Sequence, residues 1–293
     1  MKLLLALSMV ALLAACSIDV EHDEKTGDFK QVHVSIGSDL PGFGVHVASG
    51  PKKTETRVIS DVHTIQVTGP VDVDVSIGAT PSVVVEGDSK LTHLVKTLVE
   101  GDTLIVTGGD ARTDERLRVK VVVRSLNALH NSGPGDVHVK GLDADKLVFE
   151  GTGSGDTVLE GKVAALVAHQ VGSGDLDTKA LIAGTMDVSV LGSGDVSLGA
   201  VNTDKLSVTV NGSGSVSATG TTKTLSGNVL GSGDLQLDGL HADDASLELM
   251  GAGDITVFAV KSVHARAQGT GDITIHGNPP KREVSGENLH FVS

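Results

Sequence analysis

The stretch that decides the fold is VLGSGDVSLG at residues 190–199, because its Gly-Ser-Gly-Asp centre recurs along the second half of the chain. A Gly-x-Gly step occurs eight times, and the first glycines of successive steps are 18 to 20 residues apart. An internal repeat of this length indicates a repetitive architecture, so the motif is interpreted first as part of the fold. The glycines of the eight steps are Gly133, Gly135, Gly153, Gly155, Gly172, Gly174, Gly192, Gly194, Gly212, Gly214, Gly231, Gly233, Gly251, Gly253, Gly269 and Gly271.

Apolar residues alternate with polar ones on both sides of each step. In the quoted repeat, Met186, Val188 and Val190 precede the step, and Val196 and Leu198 follow it. Such alternation predicts two short strands per repeat, each with one buried face. The same offsets predict further inward residues at Leu206, Val208, Val210, Leu235, Leu237, Ala245, Leu247, Leu249, Ile255, Val257, Val263, Ala265, Ala267, Ile273 and Ile275.

The near-constant spacing distinguishes two designs that could use such a unit. A meander of hairpins tolerates changes in repeat length, whereas a stacked coil does not, because an insertion disturbs the coils above and below it. The spacing therefore favours an all-β fold, a parallel β-helix with coils of about 20 residues. At its corners we expect the glycines to provide positive φ angles and close backbone approach.

The N-terminus has the features of a bacterial export signal. Met1-Lys2 and an apolar run to Ala15 predict a signal peptide at residues 1–15. The last residues before the only cysteine, Leu13-Ala14-Ala15-Cys16, resemble the lipobox of bacterial lipoproteins, which implies lipidation of Cys16. The alternative is an ordinary signal peptide with an incidental cysteine. Ser17 after the cysteine favours the outer membrane, and residues 16–56 are predicted to be a tether with one or two strands, such as 31–36.

The segment before the repeats is also rich in predicted strands. They are expected at 64–67, 71–77, 82–86, 103–107 and 117–123. A short helix is predicted at 91–99, with Ser89 as its cap. The main domain is predicted at 57–278, and residues 279–293 form a cap or tail because Pro279-Pro280 interrupts the pattern.

The order of several segments resembles a known family. These are VDV at 71–73, VVVEGD at 83–88, DTLIV at 102–106 and LHNSG at 129–133, followed by the Gly-Ser-Gly-Asp repeats. The arrangement resembles the auto-transporter adhesin head GIN domain, a bacterial cell-envelope domain of unknown function. The resemblance implies a right-handed β-helix and export, and it supplies no catalytic residues.

An aspartate follows seven of the eight steps, and Ser215 stands at the equivalent position after Gly214. The aspartates are Asp136, Asp156, Asp175, Asp195, Asp234, Asp254 and Asp272. Stacked carboxylates about 4.8 Å apart repel by roughly 0.9 kcal/mol in water and about 3.5 kcal/mol at an effective dielectric of 20. The repulsion is offset either by solvation and hydrogen bonds from loop amides or by a metal, calcium, shared between coils.

Composition excludes or disfavours several classes of function. The net charge of −14 with no basic cluster argues against nucleic acid as a partner. Five Phe with no Trp or Tyr disfavour carbohydrate-binding and polysaccharide-cleaving clefts, which usually stack sugars on flat aromatic faces, and the scattered histidines form no zinc motif. We therefore expect no enzyme and no cofactor, but an exported lipoprotein of the outer membrane, facing the periplasm or the surface.

Its β-helix is expected to serve an adhesin-like interaction or structural role, with the membrane as one partner through the lipid anchor. The protein or envelope polysaccharide that it contacts is not identified by the sequence. Two alternatives stay open: a calcium-dependent surface module that uses the aspartates, and a polysaccharide-active β-helix enzyme.

Overall fold

Alternating side chains produce strands throughout the described part of the protein, which comprises residues 16–22, 29–36, 50–108 and 117–292 of a computed structural model. The predicted signal peptide at 1–15 lies outside these residues. The first ten strands are β1 (Cys16–His22), β2 (Phe29–Ile36), β3 (Lys52–Arg57), β4 (Thr64–Thr68), β5 (Val71–Ile77), β6 (Ser82–Asp88), β7 (Lys96–Glu100), β8 (Thr103–Thr107), β9 (Leu117–Val123) and β10 (Ala128–Asn131). The others are β11 (Val137–Gly151), β12 (Thr157–Gln170), β13 (Leu176–Thr178), β14 (Leu181–Val190), β15 (Val196–Val210), β16 (Val216–Val229), β17 (Leu235–Leu249), β18 (Ile255–Ala267), β19 (Ile273–His276), β20 (Lys281–Ser285) and β21 (Leu289–Val292).

Each repeat forms one coil, and equivalent residues of successive coils pair in parallel. Residues that lead into each Gly-x-Gly step form row A, where Met186 pairs with Leu206. Residues that follow the step form row B, where Val196 pairs with Val216. The rest of the coil forms row C, where Val201 pairs with Gly220. The prediction of a parallel β-solenoid with coils of about 20 residues is confirmed.

The core fills the inside of the coils. All the inward residues predicted in rows A and B are buried, and the most accessible of them, Ala267, is only 8% exposed. Row C adds buried inward residues that the two-strand interpretation did not include, among them Leu142, Val163, Leu181, Val201 and Leu240. Since each such side chain contributes about 1.5–3 kcal/mol when fully buried, the core is continuous along the stack.

The first coil of the chain lies inside the stack and not at its end. Strand β4 pairs in parallel with both β8 and β10. Strand β5 pairs in the same way with β9 and β11. The coil of β4 and β5 therefore lies between two others. The coil of β8 and β9 packs on one side of it, and the coil that contains β10 and the start of β11 packs on the other.

Antiparallel strands close this N-terminal end. Strand β6 lies between β9 and β3, and β7 pairs with β8. The predicted strands at 64–67, 71–77, 82–86, 103–107 and 117–123 are all present. The outermost strand, β3, has the sequence KKTETR, and such a charged edge discourages pairing with other chains.

The predicted helix at 91–99 is wrong. Only residues Thr92–Leu94 form a 3-10 turn, and its first residue receives no side-chain cap, so Ser89 is not a cap. The following residues form β7, joined to β8 by a two-residue turn in which Gly101 has φ +60°. This turn resembles type II′, whose twist suits an antiparallel hairpin.

The C-terminal segment continues the solenoid. Strands β20 and β21 pair in parallel with β18 and β19, so residues 281–292 add strands to the stack beyond Pro279-Pro280. Arg282 pairs with the buried Val263 of row A, and its guanidinium lies 4.2 Å from the ring centre of Phe291. The arginine also donates from Nε to the carbonyl oxygen of Pro279 at 3.1 Å.

Strands β1 and β2 form an antiparallel hairpin that is a separate unit. The strand predicted at 31–36 lies within β2. Cys16 is the first residue of β1 and pairs with Ile36. Within the residues that the structure describes, no helix has the length and hydropathy needed to cross a membrane.

Candidate functional site

The repeated aspartates form a hydrogen-bonded ladder along the outside of the solenoid. In most links the backbone N–H of one aspartate donates to Oδ1 of the equivalent aspartate one coil earlier: Asp195 to Asp175 at 2.8 Å, and Asp175 to Asp156 at 2.9 Å. The backbone carbonyls add a second contact, since the N–H of Leu176 donates to the carbonyl oxygen of Asp195 at 2.9 Å. Each internal aspartate is thus bonded to the coils on both sides of it.

The ladder is longer than the repeats indicate. It begins at Asp72 in β5, whose Oδ1 accepts the N–H of Asp136 at 3.2 Å. At Ser215 the hydroxyl oxygen takes the place of the carboxylate and accepts the N–H of Asp234 at 3.4 Å. The ladder ends at Asp272, whose Oδ1 lies 3.4 Å from Nε2 of His290. The remaining links lie between these members, at Asp136, Asp156, Asp175, Asp195, Asp234 and Asp254.

These amide contacts provide the interaction that offsets repulsion between the carboxylates. A hydrogen bond to a charged group contributes about 1.5–3 kcal/mol, which is comparable to the repulsion between exposed neighbours. In the described residues, no group of three or more His, Cys, Asp or Glu side chains is arranged to hold a metal ion. The observed amide contacts are those that the hydrogen-bonding interpretation of the aspartates expects.

The glycines of the eight steps are required by backbone contact. The expectation of positive φ is wrong, because none of the sixteen is among the glycines with positive φ in the described chain. The expected close approach is present: a Cβ on Gly194 would lie 1.9 Å from the carbonyl oxygen of Gly174. Across the set, the added Cβ would lie 1.9–2.5 Å from a carbonyl oxygen of the neighbouring coil. Any larger residue would force the coils apart.

Two buried amide side chains lie inside the corner of the early coils. Asn131 donates to the carbonyl oxygens of Gly135 and Gly155 at 3.3 Å, and its Oδ1 accepts the N–H of Gly133. Gln170 donates to the carbonyl oxygen of Gly174, but its Oε1 is buried and has no hydrogen-bond partner. The two amides therefore occupy similar positions, but Asn131 has hydrogen bonds at both its nitrogen and its oxygen, whereas Gln170 has one only at its nitrogen.

Shifted pKa values occur at groups held in ion pairs or by amides. Hydrogen bonding and charge attraction from Arg57 lower the pKa of Glu55. Asp204 raises the pKa of Lys223 in the same way, and Asp243 raises that of Lys261. All three shifts stabilise the charged form of the group. None of them provides a neutral acid or amine near pH 7, which acid–base catalysis would use.

The surface of the described coils includes three hollows of similar volume. One, of about 500 Å³, follows the Gly-x-Gly corner between Ser132 and Ser193. A second, of about 540 Å³, lies between rows B and C beside Gly199 and Gly239. The third, of about 480 Å³, lies on row C and is lined by Asn202, Thr221, Lys223, His241 and other residues. The third has the most varied side chains and is the candidate binding site.

Comparison with known proteins identifies the family. Residues 61–203 and 192–279 match the family described as "Putative auto-transporter adhesin, head GIN domain". The chain belongs to this head GIN domain family. The resemblance seen in the sequence is therefore confirmed over most of the chain. Among curated proteins, none matches this chain.

Solved structures share the fold of this head GIN domain protein. A "putative adhesin" from Parabacteroides merdae ATCC 43184 is 20% identical, with a TM-score of 0.64 over 85% of this chain and 99% of the other. Another "putative adhesin", from Parabacteroides distasonis ATCC 8503, is 22% identical, with a TM-score of 0.63 over 83% and 97%. A "putative lipid binding protein" from the same organism is 24% identical, with a TM-score of 0.59 over 83% and 98%. At these identities the similarity shows the fold alone.

Proposed function

We propose that the protein is an exported lipoprotein of the bacterial outer membrane, anchored by acyl chains on Cys16, whose solenoid is a non-catalytic, adhesin-like binding module. The observation that carries the proposal is the surface of the coils. Their hollows are open, and several of their charged side chains are engaged in the ladder and in ion pairs. Lys223 with Asp204 and Lys261 with Asp243 are examples. Such a surface suits contact with an extended partner better than enclosure of a small substrate.

The family supports the same role. Its description names an adhesin head domain, and two of the similar solved structures are described as adhesins. The description is also consistent with a location at the cell surface or in the envelope. The lipobox-like segment before Cys16 provides the means of attachment, and a single acyl chain would anchor only weakly, so we expect more than one.

The anchor is tested by mass spectrometry of the N-terminal peptide from the membrane fraction, and by the Cys16→Ala variant. We expect the native protein to begin at a lipidated Cys16 and to remain with the outer membrane, and the variant to lose the lipid and this association. An unmodified Cys16 in the mature native protein would contradict the anchor.

The binding role is tested by sedimentation of the full chain, purified in detergent, with envelope fractions from cells that lack the gene. We expect retention above that of an unrelated acidic lipoprotein. Equal retention of the two proteins would contradict the proposed binding role of the solenoid.

A further inference from the structure

The hollow on row C extends across several coils. Its lining begins at Gly184, includes Asn202, Thr221 and His241 in successive coils, and ends at Val260. With coils about 4.8 Å apart, these residues span roughly 14–20 Å along the axis of the solenoid. Its volume of about 480 Å³ lies in the usual range for ligand sites, although it is open on one side.

A flat ring is held at one end of this hollow. The imidazole of His241 stacks on the ring of Phe258, with 4.2 Å between the ring centres and 20° between the planes. His241 pairs with Thr221 on one side and with Phe258 on the other. Phe258 covers one face of the imidazole, and the smaller side chain of Thr221 lies in the neighbouring coil on the side of the other face. Phe258 thus fixes the orientation of an exposed ring at the hollow.

Hydrogen-bonding groups line the hollow beside this ring. Asn202 accepts a hydrogen bond from the Thr221 hydroxyl at 3.4 Å, which leaves both hydrogens of its side-chain NH₂ group available. Thr203 and Thr222 are buried at the base of the hollow, and the hydroxyl of Thr203 donates a hydrogen bond to that of Thr222 at 3.1 Å. The hollow therefore offers donors and acceptors in fixed positions beside an aromatic surface.

The charges of the hollow are balanced. Asp204, Lys223 and Asp243 lie in the same column of successive coils, and Lys223 forms an ion pair with Asp204 at 2.5 Å. Asp243 forms its own ion pair with Lys261 at 2.8 Å. The carboxylates are not outnumbered by cations, so an anionic ligand gains no net attraction. Val260 is the one large apolar residue in the described lining, so an apolar ligand gains little burial.

We propose that this hollow binds a neutral oligosaccharide, with one sugar ring stacked on His241 and its hydroxyl groups bonded to Asn202, Asp204 and Thr221. A sugar ring has an apolar face for stacking and hydroxyl groups that both donate and accept. An open hollow that extends over several coils suits a segment of a longer glycan. This inference rests on the proposed binding function and names the class of its ligand.

The test is isothermal titration calorimetry of the full chain in a detergent without a sugar headgroup. The probes are maltohexaose, N-acetylchitohexaose and mannohexaose, with inositol hexaphosphate as the anionic comparison. We expect at least one neutral sugar to bind. Because the stacked sugar would lose its ring partner, we expect His241→Ala to weaken binding by about two- to tenfold.

The matched control is His264→Ala. His264 is also exposed, but it lies on row A in an ion pair with Glu283, so its loss should leave sugar binding unchanged. Thermal melts of both variants verify that they fold. Phe258→Leu, which removes the ring behind His241, is expected to weaken binding less than His241→Ala.

Three results would overturn the inference: no binding of any of the three sugars, binding of inositol hexaphosphate alone, or equal weakening by His241→Ala and His264→Ala. Failure here is distinguishable from failure of the proposed function. Lipidation at Cys16 and retention by envelope fractions are measured separately, and both can persist when the three sugars do not bind.

Discussion

The backbone amide of Asp195 donates a 2.8 Å hydrogen bond to Oδ1 of Asp175, the equivalent residue one coil earlier. This contact turns an acidic repeat, which by itself would push the coils apart, into a link between them. The link needs an oxygen acceptor but not a negative charge. The two contributions can therefore be separated by substitution.

We expect Asp175→Asn to be at least as stable as the native protein and Asp175→Ala to be less stable than Asp175→Asn by about 1 kcal/mol. Asparagine keeps the acceptor and removes repulsion of roughly 0.9 kcal/mol from each neighbour, whereas alanine removes the acceptor too. Urea unfolding at low and high salt measures both effects, because salt screens only the repulsion. Equal stability of the two variants would show that the hydrogen bond contributes nothing.

Calcium is expected to have no effect on thermal unfolding. A cation that binds only the folded protein must raise its melting midpoint. Since the Oδ1 atoms of Asp156 and Asp175 already accept backbone amides, we expect identical midpoints in millimolar calcium and in chelator. Sodium at equal ionic strength is the control for screening. A midpoint that rises specifically with calcium would restore the calcium-dependent alternative.

Substitution of a corner glycine is expected to disrupt the stack. In Gly194→Ala the new Cβ would lie 1.9 Å from the carbonyl oxygen of Gly174, which is backbone and cannot move without separating the coils. We expect a loss of more than about 3 kcal/mol or failure to fold. The control is Gly227→Ala, whose Cβ would meet only Leu side chains at 3.1 Å. Comparable unfolding of the two variants in urea would contradict the close-contact explanation.

The sequence predicts the repetitive half of the fold well for a simple physical reason. Coils that stack in parallel force equivalent residues into columns, so alternation and spacing identify inward residues such as Val196 and Leu206 before the structure is known. Alternation and spacing do not identify the inward residues of row C, because a register shift between Leu198 and Ala200 interrupts the alternation there.

The order in which the N-terminal strands stack, and the candidate site, could not be predicted from the sequence pattern. Asp72 belongs to the ladder, but it lies 64 residues from Asp136 because other strands intervene in the chain. The helix predicted at 91–99 is wrong, and the Gly101-Asp102 turn between two alternating strands was the better signal. The stack of His241 on Phe258 depends on the pairing register, which composition does not reveal.

Asp88 is expected to make the N-terminal end sensitive to acid. Hydrogen bonds from the amides of Lys90 and Gly50 lower the pKa of this buried carboxyl below its ordinary value of about 3.9. A lowered pKa stabilises the fold above about pH 4, and the contribution is lost as the pH falls through the folded-state value. We therefore expect Asp88→Asn to destabilise the protein at pH 7 and to differ less from the native protein at pH 3.

Urea midpoints at the two pH values measure this difference. The control is Asp61→Asn, which breaks an exposed ion pair with Arg124 and should have a small effect, at most about 1 kcal/mol. A gap between Asp88→Asn and the native protein that does not narrow in acid would contradict the assignment.

The two buried amides inside the corner are expected to respond oppositely to apolar substitution. Asn131 has both ends of its side chain bonded, so Asn131→Leu leaves the N–H of Gly133 and the carbonyl oxygens of two glycines without their partner. We expect a loss of about 2–3 kcal/mol. Gln170→Met removes one hydrogen bond but also a buried Oε1 that has no partner, and Met fills a similar volume beside Gly151. We expect a change between zero and a gain of about 1 kcal/mol, measured by urea unfolding of both variants. If Gln170→Met lost as much stability as Asn131→Leu, Oε1 of Gln170 would have a hydrogen-bond partner in solution. Only the loss of a hydrogen-bonded amide is expected to destabilise the fold by that amount.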